Sequence, residues 1–519
     1  MANAVVNERT FEILQGTYVL ATMAKSKKTA DIIDSTNSPI LELLSSKIPI
    51  FQSILHPGLP IIITGFGTGH IICHRYDPSK LQSRLNRKRK LDIATPDKDA
   101  KNGSKMKNRA CTWTRLDMDV ENGTLRLVDI EEQQQSIQET KDLGVETLWK
   151  TKRHRGSVRA ICFDANGDNI FSIGSDNILK KANTITGKVV KKVNLGSFFE
   201  SEKKKNDKFT KLCISQTHPF ILLGDESGDI HVLNAENLAL SNSIRSIHFG
   251  DSINDIIHFD KRSAYKFISL GQTTLAYFDV RDKDAKPNTA ENEDGKILVS
   301  DDQEDEVLCG CFVDPEVADT LLCGMGEGIV TVWKPNKNDL EDQMSRIKIS
   351  KDESVDCIIP TLQDDNCVWC GCSNGNIYKV NAKLGKVVEV RNHNDFDEVN
   401  FMDLDSEYRV VSGGLENIKI WELSSDEDHK SLESDGDDDF SRSDESNSDI
   451  SSSDEGEVTL VGLSKEQLLD ELDKDLNHEE EHTGGEESNQ KSSKKRKLMK
   501  DKNKKKDLYE HGIKKFDDI

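Results

Sequence analysis

Hydrophobic and polar positions alternate along this chain in short runs that end in glycine. Residues 398 to 422 show the unit most clearly. Val399, Phe401 and Leu404 open it, Arg409 to Ser412 follows and stops at Gly413-Gly414, and a Glu416-Asn417 turn leads into Ile418, Ile420 and Trp421. A period of two over stretches this short predicts half-buried antiparallel strands. The glycines and Asn417 mark positions expected to take positive φ. Three such strands cannot cover their own apolar faces, so the unit needs neighbours.

Six more units supply them. They run from Ile48 to Tyr76, Ser157 to Ala182, Phe209 to Asn234, Ile253 to Arg281, Val307 to Lys334 and Val355 to Val380. Four of the seven carry a Gly-x-x-x-Gly spacing at the second turn: Gly65/Gly69, Gly224/Gly228, Gly324/Gly328 and Gly371/Gly375. A fourth strand is readable after each of the first six, at Thr147–Lys150, Val189–Val193, Leu238–Ile244, Ile297–Val299, Ile347–Ile349 and Val387–Val390. From the third unit on, the repeat distance is about 42 to 55 residues. Four strands at that period predict an all-β fold, a seven-bladed β-propeller over residues 40–422. The seventh unit lacks a fourth strand, while Ile40-Leu-Glu-Leu-Leu44 has no blade of its own. Pairing the two closes the ring and removes an exposed edge.

Residues 1–39 read as a flexible arm, with Met23 as an alternative start. Residues 78–144 read as an insertion in the first blade, and 282 to 295 as a polar insertion in the fourth. Both are expected as surface loops. Residues 423–519 read as a disordered, charge-segregated tail. In it an acidic Ser/Asp/Glu run precedes a short helix over 464–477, opened by a Ser464/Gln467 capping box with a Leu468, Leu469, Leu472, Leu476 stripe. A basic run over 491–506 follows.

The net charge is −22, of which residues 423–519 hold about −13, so the acidity is local. This argues against nucleic-acid binding by the whole surface and leaves local basic patches open. No apolar run approaches the length of a membrane span, and the N-terminus lacks a basic leader. The eleven cysteines sit mostly in apolar strands, which points to free buried thiols in a reducing compartment.

Phe278-Asp279, Trp333-Lys334 and Trp421-Glu422 stand where WD-repeat proteins carry Trp-Asp. His154-Arg-Gly-Ser-Val158 through Gly174-Ser-Asp176 is similar to a well-kept WD repeat, with His154 and Asp176 as blade braces and Trp333 and Trp421 as structural aromatics. The chain resembles one family in particular, WD-repeat-containing protein 55 and its fungal relatives. The features are His56-Pro57, Thr64-Gly-x-Gly-Thr-Gly-His70, Leu148-Trp-Lys-Thr-Lys-Arg-His-Arg-Gly156, Leu179-Lys-Lys-Ala-x-Thr-x-Thr-Gly-Lys-Val189, the acidic tail and a Gly-Ile-x-x-Phe terminus. The resemblance covers roughly residues 38–519. It implies a nuclear, mainly nucleolar scaffold tied to ribosomal RNA production.

Several clusters are weighed as candidate chemistry. Gly65-Phe-Gly-Thr-Gly69 is not read as a phosphate cradle, because a strand rather than a helix follows it. Cys367-Val-Trp-Cys370-Gly-Cys372 is not read as a metal site, because Cys367 points away from the other two and no second pair is evident. No nucleophile–base–acid set is specific enough to name, so the chain is read as non-enzymatic, with no cofactor and no small-molecule substrate. Phe278-Asp279-Val280-Arg281 matches an aromatic-Asp-x-Arg pattern of WD-repeat substrate receptors for cullin ubiquitin ligases, with Asp279 and Arg281 as the candidate adaptor contacts. Lys494, Lys495, Arg496 and Lys497, and Arg87, Lys88, Arg89 and Lys90, fit nuclear import signals. The tail cluster is also a candidate for weak RNA contact. Ser424, Ser441 and Ser451 each have an acidic residue three positions on and are phosphorylation candidates. The expected partners are proteins of nuclear or nucleolar complexes.

Overall fold

The computed structural model describes residues 33–34, 37–94, 112–128, 143–199, 208–259, 262–283, 285–288 and 295–423. They form seven sheets joined side by side in a ring, antiparallel within each four-stranded blade. Each blade runs from an inner strand to an outer one. The second, for example, comprises Val158–Phe163, Asn169–Gly174, Ile178–Asn183 and Val189–Asn194. The inner strand of each blade packs on the inner strand of the next, and the seventh, Phe401–Leu404, packs on the first, Ile50–Leu55. The core lies between blades: Phe171, Leu179, Phe209 and Leu223 share one cluster, and Phe267, Ile253 and Ile230 the next.

The ring closes where the sequence pattern left its gap. Pro39–Leu44 lies antiparallel to Asn417–Trp421, with Leu41 opposite Ile420 and Leu43 opposite Ile418. Three features depart from expectation. The arm joins the sheet before residue 40: Ile33–Asp34 pairs parallel with Lys386–Asn392 of the sixth blade. A stretch of two residues is too short to show a period. The insertion after Tyr76 is not simply a loop. It begins with the helix Pro78–Ala94, whose Leu81 and Leu85 are buried in the cluster with Ile40 and Ile420. It then adds Thr114–Asp119 and Thr124–Leu127 to the closing blade, giving that sheet six strands. Asn417 begins a strand rather than sitting in a turn, and neither it nor Gly413 or Gly414 has positive φ.

The Gly-x-x-x-Gly spacing has two physical causes. The second glycine takes positive φ in all four units, at Gly69, Gly228, Gly328 and Gly375. The first makes room for the next blade. A Cβ at Gly65, Gly324 or Gly371 would lie 2.7, 2.7 or 2.6 Å from a γ-carbon of Val158, Val355 or Val399, the residues that open the following blades. Gly224 stands likewise against Ile253.

Side chains on the inner strands then bond each blade to its neighbour. Thr210 Oγ1 donates to the Ile253 carbonyl (2.6 Å) and Asn254 Nδ2 to that of Val307 (2.8 Å). The thiols of Cys309 and Cys357 donate to the carbonyls of Val355 (3.3 Å) and Val399 (3.2 Å). Burial pushes both thiols well above their ordinary range, so they are neutral donors. The cysteines among the described residues are free.

Candidate interaction surface

The residues that hold the blades are polar and enclosed. His154 reaches from the loop before the second blade. Its Nδ1 lies 3.0 Å from Asp176 Oδ1 and its Nε2 lies 2.9 Å from Ser172 Oγ. Asp176 also accepts the N–H groups of Arg155 and Ile178. Burial pushes His154 down to about 4, so its ring is neutral at neutral pH and bridges the two partners as donor on one nitrogen and acceptor on the other. The seventh blade repeats the device without an acid: His393 Nδ1 meets Ser412 Oγ at 2.8 Å, and Trp421 Nε1 donates to the same oxygen at 2.8 Å. Trp333 Nε1 donates to Thr331 Oγ1 at 2.9 Å. His154 and Asp176 therefore share one brace, while Trp333 and Trp421 serve two other blades.

Ser172, His154 and Asp176 have the connectivity of a hydrolase triad, a set the sequence reading did not assemble because Ser172 lies in an ordinary strand. Ser172 is 0% exposed and His154 1%, so no substrate carbonyl reaches the hydroxyl. Asp225, Asp229 and His231 also converge. Asp225 accepts the N–H groups of Ser227 and Asp229 at 2.9 Å and lies 3.0 Å from His231 Nε2, and Asp229 accepts from Ser246 N at 2.8 Å. These bonds describe a braced turn.

The Phe278–Arg281 motif closes on itself. Phe278 is core, and Arg281 donates from Nε (2.9 Å) and Nη2 (2.5 Å) to the two oxygens of Asp279. Those bonds hold the Asp279 carboxyl below the usual carboxylate range. The guanidinium lies 4.3 Å from the Tyr265 ring centroid. Its side chain is 61% exposed against 16% for Asp279, so the motif presents a fixed cation at the rim of the fourth blade.

The basic cluster Arg87 to Lys90 lies on the helix Pro78–Ala94. Arg89 is committed: Nη1 and Nη2 donate to the two oxygens of Glu422 at 2.9 and 2.6 Å. Glu422 also accepts from Ser38 N and Gln82 Nε2. This helix is an ordered part of the closing blade rather than the flexible linker that the composition implies. Lys494 to Lys497, Ser424, Ser441, Ser451 and the helix expected over 464–477 lie outside the described residues.

A second hub was not foreseen. Glu42, buried in the closing strand, accepts from Asn417 Nδ2 (2.9 Å), Trp113 Nε1 (2.8 Å) and Arg115 Nε (3.0 Å). Burial pushes its carboxyl up, but Lys419 close by, together with these donors, brings it below the usual range. The only signal was an acidic residue inside the apolar run Ile40 to Leu44. None of the described helices is long and apolar enough to cross a membrane.

Comparison with known proteins places this architecture. No protein-family profile matches the chain. Over 501 residues it is 80% identical to the WD repeat-containing protein JIP5 of Saccharomyces cerevisiae strain YJM789, covering 96% of this chain and 100% of the relative. The namesake in Kluyveromyces lactis is 45% identical over 550 residues, 95% of this chain and 99% of the relative. That of Vanderwaltozyma polyspora is 51% identical over 409 residues, 77% and 68% of the two chains. A seven-bladed ring with these relatives belongs to the WD-repeat family of JIP5.

Proposed function

We propose that the protein is a non-enzymatic scaffold of the nucleus and nucleolus that serves ribosomal RNA synthesis or ribosome biogenesis. The coarse part follows from the fold, since WD-repeat propellers are generally protein-binding platforms. The observation that carries the reading is the burial of Ser172–His154–Asp176: chemistry-bearing side chains are spent on bracing blades, and the loops are left for display. The resemblance of His56-Pro57, the Leu148–Gly156 run and the charged tail to WD-repeat-containing protein 55 supports the nucleolar assignment, and Lys494 to Lys497 supports import. Sedimentation of a lysate tests it: the protein travels with pre-ribosomal particles. A peak confined to small complexes overturns the reading.

The fixed, exposed Arg281 favours a second reading, a substrate receptor of a cullin-type ligase. Under that reading the protein co-purifies with a cullin adaptor, and Arg281→Ala abolishes the association.

A further inference from the structure

Residues 145–194, the outer strand of the first blade and all of the second, carry ten basic residues against four acidic ones in a chain of net charge −22. The structure concentrates them. Lys180 and Lys192 stand directly opposite each other across strands Ile178–Asn183 and Val189–Asn194, and Lys181 stands opposite Lys191. Like charges in register weaken a sheet. Two such pairs in one hairpin are a cost that bracing alone does not explain.

On the Lys180 face of this hairpin the ammonium donates to the Arg153 carbonyl, in the connection between the first and second blades. Arg153 is the unusual group here. It is 5% exposed, its guanidinium lies 5.1 Å from the Trp149 ring, and Nη2 donates to Gly187 O at 2.7 Å. Its Nε and Nη1 have no hydrogen-bond partner, and no carboxylate pairs with it among the described residues. A buried guanidinium without a counter-ion is costly. Arg155, Lys152, Lys188 and Lys192 are exposed cations of the same two blades, and Arg153, Lys192 and Arg155 lie close enough to repel Lys180. The one nearby acid, Asp176, is already taken by His154 and two N–H groups.

We propose that this basic seam between the first and second blades binds the phosphate backbone of RNA, with exposed Lys192, Arg155 and Lys152 and half-buried Lys180 holding the phosphates and Arg153 adding its uncompensated charge from beneath. Several cations spread over two blades match a chain of phosphates better than one compact anion. Exposed Val189 (47%), Val190 (66%) and Ile185 (46%) lie beside the lysines and give bases an apolar surface to rest on. The site deepens the ribosomal reading, yet its test is binding in solution, which is decided separately from co-sedimentation. It also moves the RNA-binding role from the tail to the propeller.

The experiment measures binding of the full chain to a fluorescein-labelled oligouridylate at two salt concentrations. The double variant Lys180→Gln/Lys192→Gln binds about tenfold more weakly, and its salt slope falls by about 0.7 for each phosphate no longer neutralised. Loss of one opposed lysine pair offsets the lost bond to the Arg153 carbonyl, so its melting temperature stays close to that of the parent. The Lys494–Lys497 alanine variant keeps most of the affinity. Polyglutamate, tested as a competitor on the unaltered protein, fails to displace the RNA at equal charge concentration. Unchanged affinity of the double variant, a weakening confined to the tail variant, or displacement by polyglutamate would overturn the proposal.

Discussion

Glu42 and Asn417 are 375 positions apart and meet at 2.9 Å in the seam of the ring. The bond joins the strand that arrives first to the blade built last. Replacing Glu42 by Ala leaves Asn417, Trp113 and Arg115 without their acceptor in a buried site, and is expected to cost about 2–4 kcal/mol at neutral pH. Its folded carboxyl titrates below the unfolded value, so the stabilisation is present above about pH 4.5 and is lost as pH falls through the lower folded value. Urea melts at neutral and acid pH check this: the gap between variant and parent narrows in acid.

Closure itself is tested by deletion. Without residues 1 to 46 the edge of Asn417–Trp421 is unpaired, and the truncated protein is expected to aggregate. A soluble truncation with an unchanged melting temperature contradicts the closure.

The paired glycines make separable predictions. Gly371→Ala sets a methyl against Val399 and Cys357, each 2.6 Å away, and should cost about 1–3 kcal/mol by overpacking. Gly375→Ala forces a side chain into positive φ and against the Asn394 carbonyl, adding about 1–2 kcal/mol of backbone strain to that clash. A compensating Val399→Ala should partly rescue the first variant, leaving the Cys357 contact, and should not rescue the second, as read by thermal melts.

Buried histidines set an acid limit. Burial pushes His74 and His154 down to about 4, and His248 and His393 to about 3. Between about pH 6.5 and these values the unfolded chain binds protons that the folded chain does not, so stability falls as pH falls. Asp403 opposes this, because burial raises it to about 6 and it favours the folded state at low pH. Asp356, raised by burial, opposes it too, but burial also holds His56 and His70 down, so the balance is a net drop in melting temperature on acidification, which His154→Gln should partly flatten.

The helix arrangement separates the two import clusters. Lys494 to Lys497 changed to Ala should leave the protein cytoplasmic by imaging. Arg87, Lys88 and Lys90 changed together, with Arg89 kept on Glu422, should leave nuclear signal intact.

The blades were legible because apolar residues keep to one face of a strand, as Phe171 and Ile173 or Ile418 and Ile420 do, although the intervening Ser172 and Lys419 are buried too; close packing imposes the glycines. The additions to the closing blade were not. Thr114–Asp119 and Thr124–Leu127 extend an existing sheet, so they need little apolar content, and the helix before them buries Leu81 and Leu85 under a basic, polar sequence. The blade braces were half legible. His154 and Asp176 sit in a recognisable motif, whereas Ser172 and the hub at Glu42 depend on contacts across strands that no local pattern records.

The central claim is a scaffold for ribosomal RNA production. Affinity purification of the full-length protein, with and without nuclease, tests it most directly. The account predicts pre-ribosomal RNA and ribosome-assembly proteins in the untreated sample, with part of the protein set released on nuclease treatment. Recovery of a cullin adaptor with no pre-ribosomal RNA in either sample would contradict it.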